Sequence, residues 1–278
     1  MQLAEPILAP WKAELRLEFG RREGRTVLAA RRHDGPLVVQ KPLYPEGNAV
    51  CHAILVHPPA GIVGGDELEF SARAGEGAHA LLTTPGAGKW YRSSGTWARQ
   101  RFEFDARDEA CIEWLPQETI VYDGALADIR TEVRLAGGAR FMGWEIVCFG
   151  RTRSGERFRR GACALETSVW RDGRLLRLER GHVEGGGALL DSPAGLAGQP
   201  VCGALLAVAP DLELLLPRCR EAQPESGEGA VSLLPGVLVA RYLGSSSEAA
   251  KRYFTQLWRL LRPAVAGREA VEPRIWST

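Results

Sequence analysis

Residues 130–150 read RTEVRLAGGARFMGWEIVCFG. On each side of the pair Gly137-Gly138, apolar and polar side chains alternate with a period of two, as in a β-strand with one buried face. The same alternation recurs in RQRFEFDA at residues 99–106 and in ACIEWL at residues 110–115. Short alternating segments between glycine-rich turns therefore predict a mainly β protein.

Two hairpins are predicted from turn residues between alternating segments. In the first, AELRLEF at residues 13–19 is followed by Arg22-Glu23-Gly24 and then by TVLAARR. In the second, SVWRDGRLLRL at residues 168–178 carries Asp172-Gly173, a dipeptide that favours a two-residue hairpin turn. Both segments add antiparallel pairs to the predicted β structure.

The C-terminal region contains the best helix candidate, SSSEAAKRYFTQLWRLLRP, at residues 245–263. Ser246 or Ser247 is the N-cap candidate, and Pro263 is expected to end the helix. An apolar stripe, more typical of a core than of an interface, contains Ala250, Tyr253, Phe254, Leu257 and Leu261. Residues 185–199 predict a long loop with a helical turn, and residues 222–232 predict an exposed loop or hairpin tip.

Composition limits the possible partners and compartment. The 278 residues are 45% apolar and carry a formal charge of +1, so no global field favours nucleic acid or a membrane surface. The six cysteines form no CxxC pair, and the N-terminal residues lack the pattern of a signal peptide. These features favour the cytoplasm and predict no membrane span.

The segment Gly86-Ala87-Gly88-Lys89 resembles part of a phosphate-binding loop but fails its spacing. Thr83 stands where the first glycine is required, and Trp90 stands where the magnesium-binding hydroxyl is required. The segment is therefore interpreted as a tight turn. No GxSxG, HExxH or paired Cys/His pattern indicates a hydrolase or a tight metal site.

Two other stretches place polar groups and glycines inside strand-like patterns. HPPAGIVGGDELEF, residues 57–70, contains three glycines before the pair Asp66-Glu67. WLPQETIVYDGA, residues 114–125, interrupts an apolar pattern with Glu118 and Asp123 among other polar residues. Both stretches indicate polar groups held at defined positions.

At these residues the chain resembles the UreD (also called UreH) urease accessory proteins. The resemblance rests on HPPAGIVGGDELEF, ALLTTPGAGKWYRSSG, EWLPQETIVYDGA, ARFMGWEIVCFGR and RDGRLLRLERG, in that order, and on SEAAKRYFTQLWRLLRPAV. It implies one domain over residues 1–278, built as a stacked or helical array of β-strands with a few helices. It also implies a non-enzymatic chaperone that helps deliver nickel into apo-urease with the UreF and UreG proteins, UreG being the GTPase, as a dimer of heterodimers.

The resemblance also implies a passage for nickel in transit, with no tightly bound cofactor. The acidic residues in matching motifs are Asp66, Glu67, Glu145 and Glu179. A few oxygen donors would bind nickel weakly enough to release it. Cys148 is interpreted as a buried apolar residue, and His57 as a residue that orients the His-Pro-Pro turn. The residues expected to contact a UreF-like partner are Tyr253, Trp258, Arg259 and Trp276.

Two other hypotheses remain open from the residues alone. In the first, the chain is an enzyme in which Asp66 or Glu118 acts as a general base beside Lys89 or Arg92, on a small carbonyl or carboxylate substrate. In the second, the chain is a structural partner whose carboxylates are merely solvated. The glycine-rich β scaffold also predicts low solubility in the absence of the UreF-like partner.

Overall fold

The computed structural model of the protein describes residues 10–277. The strands of the first half are β1 (Lys12–Arg22), β2 (Arg25–Asp34), β3 (Val38–Val39), β4 (Val50–Val56), β5 (Glu67–Ala74), β6 (His79–Thr83), β7 (Gly88–Trp90), β8 (Ala98–Ala106), β9 (Cys111–Trp114) and β10 (Thr119–Val121). Those of the second half are β11 (Leu126–Leu135), β12 (Arg140–Phe149), β13 (Ala162–Arg171), β14 (Arg174–Glu184), β15 (Val201–Val208), β16 (Glu228–Leu234) and β17 (Val237–Gly244).

Helices are few and lie mainly towards the C-terminal end. They are α1 (Ala188–Asp191), α2 (Leu216–Glu221) and α3 (Ser247–Ala266), with short 3₁₀ turns at Thr152–Ser154, Leu212–Leu214 and Arg274–Ser277. None of the helices in the described part of the chain is long and apolar enough to cross a membrane.

The strands form two sheets. One has seven strands in the order β14-β13-β11-β8-β5-β1-β2. The other has ten, in the order β16-β17-β15-β12-β9-β6-β4-β3, with β10 beside β12 and β7 beside β10. From β4 to β13 the chain passes repeatedly between the sheets, so each new strand lies parallel to an earlier one, as β4, β6, β9 and β12 do. This arrangement of stacked coils confirms the predicted fold class.

The ten-stranded sheet is the middle layer of the molecule. Alternate side chains of β12 point to opposite faces, so Phe141 and Val147 join the core shared with the seven-stranded sheet. Trp144 and Ile146 lie on the other face, in a second core closed by α3. The result is a three-layer molecule with the order sheet, sheet, helix.

The hairpin and cap predictions are confirmed. Strands β1 and β2 pair antiparallel, as do β13 and β14, and Asp172 and Gly173 adopt the positive φ values of 50° and 76° that a two-residue turn requires. Helix α1 lies in the predicted loop at residues 185–199. The hydroxyl of Ser246 accepts a hydrogen bond from the amide of Ala249 and caps α3.

Two boundary predictions are wrong. Residues 228–232 are not part of a loop, because they form most of β16 and pair with β17. Pro263 does not end α3, which continues to Ala266 and stops at Gly267 in the left-handed conformation. Val265 is fully buried beyond the proline, so packing of the last turn outweighs the hydrogen bond that Pro263 cannot donate.

Candidate functional site

Four of the six stretches that carry the resemblance lie side by side next to the C-terminal end of β12. Strand β10 pairs in parallel with β7 on one side and with β12 on the other. Ile62 extends this ribbon, because its amide donates to the carbonyl of Lys89 at 2.8 Å and its carbonyl accepts from Tyr91 at 2.8 Å. Residues 62, 88–91, 119–122 and 147–150 therefore form one hydrogen-bonded surface, which we call the motif ribbon.

The motif ribbon explains two unusual features of its sequence. The amide of Gly88 donates to the carbonyl of Glu118 at 2.9 Å, so it is used by the sheet and not by a phosphate. A Cβ atom on Gly61 would lie 1.9 Å from the ring of Tyr91, and one on Gly64 would lie 2.2 Å from the hydroxyl of Ser93. Glycine is required at both positions because neighbouring coils approach so closely.

Asp66 and Glu67 have separate structural surroundings. The Asp66 side chain is buried, and its two oxygens accept backbone hydrogen bonds from Trp11 at 2.8 Å and Val63 at 2.9 Å. Glu67 lies on the outer face of the seven-stranded sheet, 3.4 Å from both Lys12 and Arg99. With both of its oxygens accepting amide hydrogens, Asp66 holds a turn and is poorly placed to act as a general base.

A cavity of about 470 Å³ lies between the two sheets near their β14 and β16 edges. Strands β11, β13 and β14 line one side, and β12, β15, β16 and β17 line the other. Small residues, including Gly181, Ala204 and Ala230, leave room for it. Its walls are mostly apolar, with a few titratable side chains at defined positions, as in many binding sites.

Glu145 is the titratable residue that β12 contributes to this cavity. Burial raises the pKa of its carboxyl to about 7. Within the described residues it has neither a hydrogen bond nor an ion pair, while Cys202 lies on the neighbouring strand, one diagonal position away. Burial, reinforced by the charge of Glu145, raises the pKa of the Cys202 thiol to about 12. The cavity thus contains an unpartnered carboxyl beside a thiol that stays protonated at neutral pH.

Glu179 lies at the edge of the same cavity, on β14. Its carboxylate forms ion pairs with Arg241 of the opposite sheet, at 2.6 Å, and with Arg177 of its own strand. Burial, with the nearby Arg241, lowers the pKa of Arg177 to about 10. The side chains of Glu179 and Arg241 are 35% and 56% exposed, so the cavity reaches solvent at this ion pair.

Of the four acidic candidates, the structure brings together Glu145 and Glu179 and leaves Asp66 and Glu67 elsewhere. Neither Asp66 nor Glu67 lines the cavity. In the seven-stranded sheet, β8, β11 and β13 separate the strand of Glu67 from that of Glu179, a distance of roughly 19 Å at about 4.8 Å per strand. In residues 10–277 no group of three or more His, Cys, Asp or Glu side chains is placed to hold a metal ion.

A buried ionic network joins α3 to the ten-stranded sheet, and no sequence motif predicts it. Arg262 is fully buried and donates to Glu113 at 3.0 Å and to Glu46 at 2.7 Å. Glu113 also accepts from Trp258 at 2.6 Å and lies 2.7 Å from the ring of His79. Nothing in the sequence pattern connects these residues, since Glu113 and Arg262 are 149 positions apart.

Charge pairing sets the pKa values inside this network. Burial acts to raise the pKa of Glu113, but His79 and Arg262 lower it to about 2. Burial acts to lower the pKa of His79, but Cys111 and Glu113 raise it to about 10. The network therefore holds charged partners throughout the neutral pH range and fastens α3 to the sheet.

The four residues expected to contact a partner have different surroundings. Tyr253 and Trp258 are 2% and 0% exposed, which contradicts the expectation that they contact a partner. The apolar stripe of α3 packs on the chain's own sheet, leaving these rings no outer surface. Arg259 is exposed and pairs with Glu272 at 2.5 Å. Trp276 is half-buried and donates to the hydroxyl of Thr83 at 2.9 Å.

The remaining candidates have local roles. Cys148 is buried, as predicted, and burial raises the pKa of its thiol to about 12. The carbonyl of His57 accepts a hydrogen bond from Ala60 at 2.9 Å and closes the His-Pro-Pro turn, while burial lowers the pKa of the His57 ring. Lys89 and Arg92 form no ion pair with Asp66 or Glu118 in the described structure.

Together, the three layers, the motif ribbon and the cavity define a stacked-strand scaffold with an internal cavity. A family model described as "UreD urease accessory protein" matches residues 12–277. The chain belongs to this family, and it therefore has a role in urease maturation.

Curated relatives cover almost the whole chain. A urease accessory protein UreD of Azoarcus sp. (strain BH72) is 60% identical over 269 residues, which is 96% of this chain and 94% of the relative. That of Dechloromonas aromatica (strain RCB) is 54% identical over 100% of this chain and 99% of the relative. That of Pseudomonas aeruginosa (strain PAO1) is 52% identical, covering 96% and 95%.

Proposed function

We propose that this chain is a non-catalytic scaffold that helps deliver nickel into apo-urease, in a cytoplasmic complex with UreF- and UreG-like accessory proteins. The observation that carries the proposal is the cavity between the sheets, which contains Glu145 and Glu179. Nickel is the cargo of this cavity and has no permanent site there. A dimer of heterodimers remains the assembly that the family resemblance suggests.

The chemistry of the cavity suits passage better than storage. Glu145 offers an oxygen donor without a competing partner, whereas the carboxylate of Glu179 is shared with two arginines. The thiol of Cys202, with its pKa raised to about 12, is protonated at neutral pH and does not supply the thiolate that would retain the metal. A divalent ion would therefore meet few donors, and each would bind it weakly.

The test is the nickel content of urease purified from host cells at limiting nickel, with and without this chain. We expect folded but nickel-poor urease in its absence. Glu145→Gln in the full chain is expected to lower nickel loading, because the amide keeps the shape of the side chain and loses the charge. Unchanged nickel content in cells that lack the chain would refute the delivery role.

Glu69→Gln is the matched control. Glu69 is exposed on the outer face of the seven-stranded sheet, away from the cavity, and has no ion pair within the described residues. It should support nickel loading like the parent. If both variants load urease equally well while the deletion does not, the chain delivers nickel by a route that does not use Glu145.

A further inference from the structure

The segment between β12 and β13, GRTRSGERFRRG at residues 150–161, concentrates positive charge on one surface. It contains five arginines and a single acidic residue, Glu156, in a chain whose overall formal charge is only +1. All five arginine side chains are exposed. We call this segment the arginine loop; it leaves the sheet directly beside the motif ribbon, where Gly150 donates to the carbonyl of Val121 at 2.7 Å.

The backbone of the arginine loop is firmly held. Phe158 is buried and packs against Phe149, with ring centroids 5.7 Å apart. Asp123 accepts backbone hydrogen bonds from Arg159 at 2.9 Å and from Arg160 at 2.8 Å. The loop therefore presents its arginines from a fixed frame, which reduces the entropy lost on binding.

Only some of these arginines have an acidic partner in the chain. Arg160 binds Asp123, and Arg151 binds Glu156, through two guanidinium nitrogens each. Arg153 approaches Glu248 at 3.3 Å on an exposed surface. Among the described residues, no ion pair is formed by Arg157 or Arg159.

Arg157 and Arg159 both line a hollow of about 330 Å³ between the arginine loop and residues 186–200. Asp191 is the acidic residue on the far side of this hollow, and it forms no ion pair with either arginine. Arg92, exposed and also unpaired within the described residues, packs over Gly124, whose amide donates to the carbonyl of Arg160. The surplus positive charge therefore extends from the loop to the end of the motif ribbon.

We propose that the arginine loop is a docking surface for an acidic segment of a protein partner, with carboxylates bound by Arg157 and Arg159. Arg151 and Arg160 already bind carboxylates in this way: two guanidinium nitrogens of each arginine donate to one acidic side chain. Within the described residues, the one aromatic side chain of the arginine loop is Phe158, which is buried, so the loop offers no exposed ring on which nucleic-acid bases would stack. The identity of this partner rests on the proposed function in urease maturation.

The test measures binding of the full-length chain to purified apo-urease and to the UreF- and UreG-like proteins, one at a time. The charge reversal Arg157→Glu/Arg159→Glu should weaken binding to at least one of them by about tenfold or more, because attraction becomes repulsion. Raising NaCl from about 0.1 to about 0.5 M should weaken the parent more than the variant. Neither substituted side chain is buried, so the fold should be retained.

The matched control is Arg31→Glu/Arg32→Glu on the edge strand β2. Both residues are exposed and form no ion pair in the described structure. Two arginines are again replaced by two glutamates, so the control makes the same change in net charge as the loop variant. Its affinities should stay within about twofold of the parent. Equal weakening by the control, unchanged binding by the loop variant, or no binding of the parent to any of these proteins would overturn the proposal. So would tighter binding of single-stranded DNA than of all three proteins.

Nickel loading separates this inference from the proposed function. If the parent chain supports loading of urease and the loop variant binds all partners like the parent, only the docking surface is refuted. If deleting the chain leaves urease fully loaded, the delivery role is refuted whatever the loop binds.

Discussion

Replacing Arg262 by methionine should destabilise the protein more than any other single loss of charge on α3. The change keeps most of the side-chain length and removes the cation that neutralises Glu113 and Glu46. Breaking a buried ion pair by removing one partner costs about 3–5 kcal/mol, out of a total stability of about 5–15 kcal/mol for a typical domain. At about 2–4 °C per kcal/mol, the midpoint of thermal unfolding should fall by roughly 6–20 °C.

Arg259→Met is the control on the same helix. Arg259 pairs with Glu272, but the two side chains are 61% and 40% exposed, so the loss should be at most about 1 kcal/mol. Calorimetry or circular dichroism measures both midpoints. Equal midpoints for Arg262→Met and Arg259→Met would show that the network contributes no more than a surface pair and would refute the reasoning.

A double variant separates charge from packing. Glu113→Gln removes the carboxylate that loses Arg262 in the single variant, so the two changes together should cost less than the sum of the separate costs. An additive result would mean that the two side chains do not interact in the folded protein. The double variant also provides a measurement if Arg262→Met alone fails to fold.

Three further predictions concern pH, backbone and thiols. The pKa of His79 is raised from its ordinary 6.5 to about 10. The protonated ring therefore contributes its full stabilisation below pH 6.5, and this stabilisation is lost as the pH rises through 10. In urea titrations between these pH values, His79→Gln should lose less stability than the parent. Gly161→Ala should destabilise the protein by more than about 2 kcal/mol, because φ is +91° and the new Cβ would lie 2.1 Å from the carbonyl oxygen of Ala125. At Gly173 a new Cβ would meet nothing within 4 Å, so Gly173→Ala should cost only about 1 kcal/mol. Similar unfolding midpoints for the two variants would contradict this prediction. Cys202, with its pKa near 12, should react with a thiol reagent at pH 8 far more slowly than in urea, and equal rates would show that the cavity does not desolvate it.

The alternation of side chains was sufficient to predict β1, β2, β8, β9, β11, β12, β13 and β14, because successive side chains of a strand point to opposite faces. It failed at β16, where EGAVSLL begins among glycine, serine and glutamate and its strand conformation depends on pairing with β17. It also failed at Pro263, since burial of Val265 is a tertiary effect that local propensity does not contain. At both places tertiary packing overrides the local sequence preference.

The candidate site was predictable only in part. The family resemblance selected Glu145 and Glu179, but the period of an alternating strand does not specify which sheet that strand joins. Their common cavity follows from β12 and β14 lying in different sheets that face each other. Arg177 and Arg241 carry no motif that would have identified them, and Arg262 meets Glu46 across 216 positions.

The separation in sequence between α3 and the sheet that it covers determines when the protein can finish folding during its synthesis. The stacked coils can assemble in sequence order, but the outer face of the ten-stranded sheet stays uncovered until α3 emerges from the ribosome. Until then Trp144, Ile146 and Leu205 face water together, because the helix that buries them begins only at Ser247. A nascent chain at this stage exposes a broad apolar surface to other proteins. Chaperone protection late in translation is therefore most useful for this chain, and truncation before the helix would yield a product prone to aggregation.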